Sequence, residues 1–321
     1  MTTMPQQGSN ASTREKLRTY LLHRWVHRRW FYNNWELFIQ QPHGKLGLLM
    51  IVIFGLMALS HPILMETVWN RTLFDPSIGF DISIMPHPTT PTWRHLLGTD
   101  NFGRDVFSQL LAGTQTSFSV GIVAAIIAVT ISTLLGGAAG YLGGVVDAIL
   151  MGISDVFVLL PAQIVLLIFG LLLRLEWPMV AIAYGVVTGL GGQAIVVKSH
   201  TLKIKAKPFI EAAQAAGGGG GHIIRKHILP GLLSLTIVHA VFTVVGAVLT
   251  ESLLSYFGRT QYYLSWGTTI WIGQQTFRWF TLEGQWHVIL PPAIAIMLFC
   301  SAFYLVGRAL DEVLNPQLRV R

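Results

Sequence analysis

The sequence has little charge and almost no cysteine. Only 12% of its 321 residues are charged, whereas 52% are hydrophobic, and the mean hydropathy is +0.55. An ordinary soluble domain carries about 25% charged residues, so this chain lacks the charged side chains that a water-facing surface requires. The one cysteine, Cys300, lies in an apolar run, which excludes an intrachain disulfide and a site built from several cysteines. The composition therefore predicts an integral membrane protein.

The common catalytic motifs are also missing. The sequence contains no GxxxxGK[ST] nucleotide loop, no HExxH metal motif and no GxSxG nucleophile turn. The five glycines at 217–221 are not followed by Lys-Ser/Thr, so they do not form a phosphate-binding loop. Asp100 and Asp105 flank Arg104, but this spacing favours a turn tied by Asp–Arg and Asp–backbone contacts over a catalytic pair. We expect no enzyme, no metal site and no cofactor in this chain.

What the chain does have is six long apolar runs. They cover approximately residues 46–65, 118–141, 148–173, 177–197, 231–254 and 287–306. Each run is long enough for an α-helix that crosses a membrane, at about 1.5 Å per residue and about 30 Å of hydrocarbon. Pro161, Pro291 and Pro292 lie inside the runs and are expected to kink their helices. The sequence predicts an all-α integral membrane protein with six transmembrane helices in residues 45–321.

The distribution of lysine and arginine predicts the orientation. Of the 22 such residues, 16 lie before the first run, in the loop 198–230 or in the C-terminal tail, and 6 lie in the other connections. Because basic loops remain in the cytoplasm, we expect both termini and the loop 198–230 inside and the loop 66–117 outside. The net charge of +7 is then a topology signal. The basic and aromatic segment 1–44 fits anionic lipid headgroups better than nucleic acid.

Few ionisable residues lie within the apolar runs. Asp155 is in the third run, and His239 and Glu251 are in the fifth. A buried carboxylate in a membrane helix costs roughly several kcal/mol unless it is paired or hydrated. Asp155 is therefore a candidate for a polar contact in a translocation path or, alternatively, for a hydrogen bond to a neighbouring helix. We expect His239 to be a helix contact with satisfied hydrogen bonds.

Four separated stretches resemble one family of transport proteins. One reads EAA, three more residues and then Gly217, and closes on ILP at 228–230; this is similar to the cytoplasmic signature of permease subunits of bacterial ABC importers. HLLGTDNFGRDVFSQLLAGTQTSFSVG at 95–121 looks like the signature of one subgroup, the second permease subunit of dipeptide, oligopeptide and nickel importers. MGISDVFVLLP at 151–161 and ALDEVLNPQLR at 309–319 resemble further stretches of that subgroup, in the expected order.

The resemblance implies one half of a transmembrane pore in a bacterial inner (plasma) membrane. A homologous second permease subunit would form the other half, two ATP-binding subunits would bind ATP and Mg²⁺, and an extracytoplasmic solute-binding protein would deliver the cargo. No nucleic-acid partner is implied. The cargo would be di- or oligopeptides, with nickel or another small solute as the alternative.

The resemblance also assigns residues to roles. It implies that Glu211, Ala212 and Ala213 lie on a short helix that couples the pore to the ATPase, and that Gly217 turns the chain back toward the membrane. The glycines at 218–221 depart from the small or polar run usual in the family and predict a looser or differently shaped docking element. The extracytoplasmic signature comprises Gly98, Thr99, Asp100, Gly103, Arg104 and Asp105.

Two other classes of function remain as alternatives. A stand-alone secondary transporter or channel would need ion-coupling carboxylates or broken helices in mid-membrane and an internal repeat. Only Asp155 is well placed for such coupling, and no repeat is visible. A membrane-embedded enzyme would need a nucleophile–base pair or a metal-binding set, and the sequence offers neither.

Overall fold

The fold is taken from a computed structural model, which describes residues 34–258, 263–275 and 286–314. In this part of the chain the structure is helical, and the only β pairing is an isolated antiparallel bridge between Thr99 and Asp105. The all-α prediction is thereby confirmed. Most of the basic and aromatic segment predicted over residues 1–44 lies outside the described residues.

The helices of the described residues are named here in chain order. They are α1 (Pro42–Thr67), α2 (Arg71–Phe74), α3 (Val106–Leu142), α4 (Gly144–Val158), α5 (Ala162–Leu172), α6 (Trp177–Leu190), α7 (Gly192–Lys205), α8 (Pro208–Ala215), α9 (Gly220–Tyr256), α10 (Trp266–Gln275) and α11 (Trp286–Leu314). α9 includes a π-helical turn, Ile224–Ile228. Residues 34–40, just before α1, are also helical.

Four of these helices, α1, α3, α9 and α11, are each long and apolar enough to cross a membrane. The pairs α4–α5 and α6–α7 pass the same test together, with bends of 75° and 43°. If each bent pair is one span, the count is six, the number predicted. The larger bend lies at Pro161, as expected for a residue with no backbone N–H. α11 continues through Pro291 and Pro292, so the helix is not interrupted there.

Two helix boundaries differ from the predicted ones. α3 begins at Val106 rather than near 118, because the Asp105 side chain caps it by accepting a hydrogen bond from the Ser108 N–H at 2.6 Å. The loop predicted over 198–230 is shorter, since α7 continues to Lys205 and α9 begins at Gly220. Gly220 and Gly221 therefore lie in α9 and not in the loop.

α3 is the central helix and packs against α6, α7, α9 and α1. Near its start, Trp266 of α10 fits against Gly113 and donates its indole N–H to the Leu110 carbonyl at 3.0 Å. Phe54 and Phe299 pack around the same indole, with ring centroids 5.8 and 5.5 Å from it. This aromatic cluster joins α1, α10 and α11 to one end of α3.

Candidate functional site

The short helix α8 carries the residues assigned to coupling. Pro208 occupies its first turn, where a missing N–H costs nothing, and Glu211 places a negative charge near the positive end of the helix dipole. After Ala215 the chain reverses at Gly217, whose φ is +82°. The Gly217 N–H donates to the Gln214 carbonyl and the Gly218 N–H to the Ala213 carbonyl, both at 2.9 Å. This is a helix stop that favours glycine, at the position to which the resemblance assigns a turn back toward the membrane.

One face of α8 is fixed to the helices on either side. Ile210 is 1% exposed and Ala213 packs beside it, whereas Glu211 and Ala212 are exposed. We name the buried group around Ile210 the loop cluster. It comprises Val197 and Ile204 from α7, Ile210 from α8, and Ile223, Ile228 and Leu232 from α9. α8 is thus firmly attached by its apolar face and presents a small, acidic face outward.

Polar contacts add to this attachment. The Lys205 ammonium donates to the Tyr141 carbonyl at 2.7 Å and lies 5.6 Å from the centre of the Tyr141 ring. Lys198 of α7 pairs with Asp147 of α4, with 2.5 Å between Nζ and Oδ1. Neither contact was predicted, because its partners are far apart in sequence and no motif contains both. These two contacts attach α7 to the C-terminal end of α3 and to α4.

At the other end of α3, Asp100 organises a tight turn. Its Oδ1 accepts hydrogen bonds from the Phe102 and Arg104 N–H groups, at 2.9 and 3.0 Å. Its Oδ2 accepts from Arg104 Nε at 2.8 Å and from Gln109 Nε2 at 2.8 Å, and it lies 2.6 Å from Arg104 Nη2. The Asp–backbone and Asp–Arg contacts predicted from the sequence are both present. Asp100 is fully buried, so these bonds compensate the cost of burying its charge.

The remaining signature residues pack closely against the segment that precedes the signature. Gly98 and Gly103 have φ values of +78° and +77°. A Cβ at Gly98 would collide with the Thr89 carbonyl, and one at Gly103 would lie 2.5 Å from the Phe80 ring. The Thr99 hydroxyl accepts from the Thr89 N–H at 2.9 Å. The signature is therefore a packed structural unit.

Two contacts connect the signature to the helices beside it. Asn101 donates to the Ile272 carbonyl of α10 at 3.0 Å. His287 of α11 places Nε2 3.2 Å from the Thr99 carbonyl and is fully buried. Because of these contacts, a movement of α10 or α11 would also move the turn at Asp100.

The last signature residue, Asp105, takes part in a buried charge cluster. His95 Nδ1 lies 2.7 Å from Asp105 Oδ2, and His95 Nε2 lies 3.2 Å from Asp81 Oδ2. All three side chains are at most 2% exposed, while Arg94 pairs with Asp81 from the solvent side at 3.2 Å. Asp81 was not singled out from the sequence, since it lies outside the signature and no spacing marks it.

The surroundings of this cluster shift two pKa values. The hydrogen bond to Asp105 is the largest influence on His95 and raises its pKa above the usual 6.5; burial opposes the rise and Asp81 adds to it. Burial alone would raise the pKa of Asp81, but hydrogen bonds from Ser83 and His95 and the charge of Arg94 lower it to about 2. The cluster therefore favours an imidazolium between two carboxylates.

The two candidate regions lie at opposite ends of one helix. α3 has 37 residues, which at about 1.5 Å per residue corresponds to roughly 55 Å. Asp105 caps its first turn, and Tyr141, which contacts Lys205, lies in its last. The structure thus places the signature and the coupling residues apart and joins them through α3.

The ionisable residues within the spans differ from expectation. Asp155 is exposed on α4 and makes no hydrogen bond or ion pair with any residue that the structure describes. Glu251 is instead the fully buried acid, and its Oε1 accepts from Ser255 at 2.6 Å and from Tyr263 at 3.1 Å. The satisfied hydrogen bonds expected for His239 are not found: its Nδ1 is buried without a partner among the described residues.

Comparison with known proteins places these features in a family. Residues 132–320 match the family described as binding-protein-dependent transport system inner membrane component. A dipeptide transport system permease protein from Bacillus subtilis (strain 168) is 32% identical over 288 residues, which cover 89% of this chain and 85% of the relative. An oligopeptide transport system permease protein from Haemophilus influenzae is 34% identical over 242 residues, covering 74% and 76%. A probable D,D-dipeptide transport system permease protein from Escherichia coli (strain K12) is 32% identical over 276 residues, covering 84% and 85%. The chain therefore belongs to this family, the membrane permeases of ABC transporters.

Proposed function

We propose that this permease imports di- or oligopeptides and that α8 couples its pore to ATP hydrolysis. The observation that carries the coupling role is the two-sided character of α8, which is fixed by Ile210 and exposes Glu211 and Ala212. A docking element must be held rigidly by the permease and remain accessible to its partner, and α8 meets both requirements. The peptide cargo is supported by the names of the relatives described above.

The proposed assembly contains three kinds of protein partner in or at a bacterial inner membrane. A homologous second permease subunit completes the pore, two ATP-binding subunits dock on α8 and its counterpart, and an extracytoplasmic solute-binding protein delivers the peptide. ATP and Mg²⁺ are bound by the ATP-binding subunits. The signature turn at Asp100 faces the extracytoplasmic side, and both termini face the cytoplasm. Nickel or another small solute is the alternative cargo.

The proposed mechanism transmits force through the contacts around α8. When ATP closes the pair of ATP-binding subunits, α8 is displaced, and the loop cluster carries the displacement into α7 and α9. The Lys205–Tyr141 and Lys198–Asp147 contacts carry it to α3 and α4. Packed helices respond by moving as units between a few arrangements rather than by bending continuously. The pore would thereby alternate between outward and inward openings.

The proposal is tested by purification and transport together. A tagged chain, expressed with the genes of its candidate partners, should retain the second permease subunit and both ATP-binding subunits through purification. Reconstituted in liposomes with ATP inside and the loaded binding protein outside, the complex should accumulate labelled di- or oligopeptides. A chain that purifies without ATP-binding subunits, or uptake that continues without ATP, would contradict the proposed function.

The proposed orientation predicts opposite labelling of two engineered cysteines. Trp93→Cys lies in the loop 66–117 at a position that is 99% exposed, and Lys203→Cys lies in α7 at an exposed position. A membrane-impermeant maleimide applied to intact spheroplasts should label only the first, and permeabilisation should add the second. The native Cys300 is buried and should react slowly. Labelling of both engineered positions from the same side would refute the orientation.

A further inference from the structure

The buried cluster formed by Asp81, His95 and Asp105 has a property that the transport role does not explain. Both ring nitrogens of His95 face carboxylate oxygens, at 2.7 and 3.2 Å. A neutral imidazole has only one N–H, and an ionised carboxylate can only accept hydrogen bonds. A neutral His95 would therefore point a lone pair at a carboxylate oxygen inside a site that is almost closed to water. Only the imidazolium satisfies both contacts.

The cluster joins the segment before the signature to the first turn of α3, and two hydrogen bonds between Thr89 and Thr99 also connect that segment to the signature. Asp81 lies in the segment between α2 and the signature, and Asp105 caps the first turn of α3. We name residues 81–95 the outer segment. It contacts the signature also through His87, whose Nδ1 lies 2.9 Å from the Thr99 hydroxyl and whose Nε2 lies 2.9 Å from the Asp81 carbonyl. His95 is the residue in this segment whose charge bridges it to α3.

We propose that protonated His95 latches the outer segment onto the N-terminus of α3 and that the latch opens when the imidazole loses its proton. Deprotonation leaves a net negative charge in the buried cluster, formed by Asp81, Asp105 and the more exposed Arg94. The longer contact, to Asp81, is the one that breaks, because Asp105 remains held by the Ser108 N–H. The part of the outer segment around Asp81 then separates from His95 and from the N-terminus of α3. His95 stays beside Asp105, and the Thr89–Thr99 bonds and the turn at Asp100 are kept.

The other charged and titratable groups around the cluster do not replace this proton. On α3 and its cap, Arg104 is engaged with Asp100 in a separate pair. From α11, His287 contacts the Thr99 carbonyl, and from the outer segment His87 contacts the Thr99 hydroxyl and the Asp81 backbone carbonyl. Neither ring contacts a carboxylate oxygen of the cluster. Next to His95 itself lies the Phe74 ring, with 5.5 Å between ring centroids, which carries no charge. His95 is therefore the titrating group of the latch.

The direction of the pH effect follows from linkage. The pKa of His95 is raised in the folded chain, so its contribution is complete below its usual pKa of 6.5 and is lost as pH rises through the raised value. The carboxylate of Asp81 stays ionised over this range, because its pKa is about 2. The latch is closed below pH 6.5 and opens as the pH rises through the raised pKa of His95. The proposed orientation decides whether the latch responds to the pH outside or inside the cell. The existence of the latch does not depend on that orientation.

Hydrogen exchange of the whole complex in lipid nanodiscs tests the latch without any measurement of transport. After correction for the intrinsic exchange rate, protection of the outer segment should decrease by up to about tenfold per pH unit, starting near pH 6.5. His95→Gln should give low protection that does not vary with pH. Asp81→Asn should keep the segment protected at alkaline pH, because an amide N–H can donate to the lone pair of a neutral imidazole.

The matched control is His222→Gln, an exposed histidine of α9 at the other end of the bundle, which should keep the wild-type pH dependence. Protection that is constant with pH in the wild type, or a pH dependence that persists in His95→Gln, would overturn the proposal. If the His95→Gln complex fails to assemble, the test rests on Asp81→Asn. Protection in Asp81→Asn that varies with pH as in the wild type would then rule the latch out. A complex that shows the latch but no peptide uptake would count against the proposed cargo only.

Discussion

Reversing the charge of Glu211 should abolish most transport while leaving the complex in the membrane. Glu211 is exposed in the first turn of α8 and contributes to none of the buried contacts that attach this helix. Glu211→Lys should therefore leave insertion and folding intact. It should remove a charge-assisted contact with the ATP-binding subunit worth about 1.5–3 kcal/mol, which corresponds to roughly a 10- to 150-fold weaker interaction. Uptake per assembled complex should fall accordingly.

The measurement compares peptide uptake, ATPase activity and membrane abundance in the same preparations. Uptake should fall far more than abundance, and ATPase activity should no longer respond to the loaded binding protein. Gly219→Ala is the matched control, because a Cβ at Gly219 meets nothing within 4 Å and the position lies in the same loop. Wild-type uptake by a Glu211→Lys complex of normal abundance would show that α8 is not the coupling element.

A single methyl group at Gly136 should severely destabilise the bundle. A Cβ at this position would collide with the Ala194 carbonyl and would lie 2.7 Å from Val197 Cβ and 2.8 Å from the Lys198 N. Two of these are backbone atoms of α7, so α3 and α7 must separate to make room. Overpacking of this kind costs about 1–3 kcal/mol. The Lys198–Asp147 pair lies at the same contact, so its geometry would also be disturbed.

Gly137→Ala is the control for this prediction, since the next residue of α3 has nothing within 4 Å of its Cβ position. It should be neutral or slightly stabilising, because alanine favours helix over glycine by up to about 1 kcal/mol. The thermal midpoint of the purified complex and the amount in the membrane should both fall for Gly136→Ala and not for Gly137→Ala. Equal behaviour of the two variants would mean that α3 and α7 do not pack as described.

Features that depend on neighbouring residues could be predicted from the sequence. The apolar runs predicted the spans, because a membrane core requires about 20 apolar residues whatever packs around them. The turn at Asp100 was predicted because Arg104 lies only four residues away, within reach of the same carboxylate. The turn at Gly217 was assigned from the family resemblance, and it is also local, since the bonds that stop α8 join residues three and five apart.

Features that depend on how helices rotate and approach one another could not be predicted. Hydropathy does not distinguish a face that meets lipid from one that meets protein, since both surroundings are apolar. For this reason the sequence singled out Asp155, which is exposed, and gave less weight to Glu251, which is fully buried. The early start of α3 was missed because its first turns bury polar residues such as Gln109 and Thr114 against protein.

The sequence by itself determined the class of the protein, the approximate positions of its spans and the two local turns, because each depends on composition or on hydrogen bonds between near neighbours. Only the tertiary structure decided which residues join these parts. His95 meets Asp81, Lys198 meets Asp147, and Ile210 enters the loop cluster through contacts between segments that no motif connects. Such contacts depend on the direction and rotation of whole helices, which the packing of the entire bundle sets.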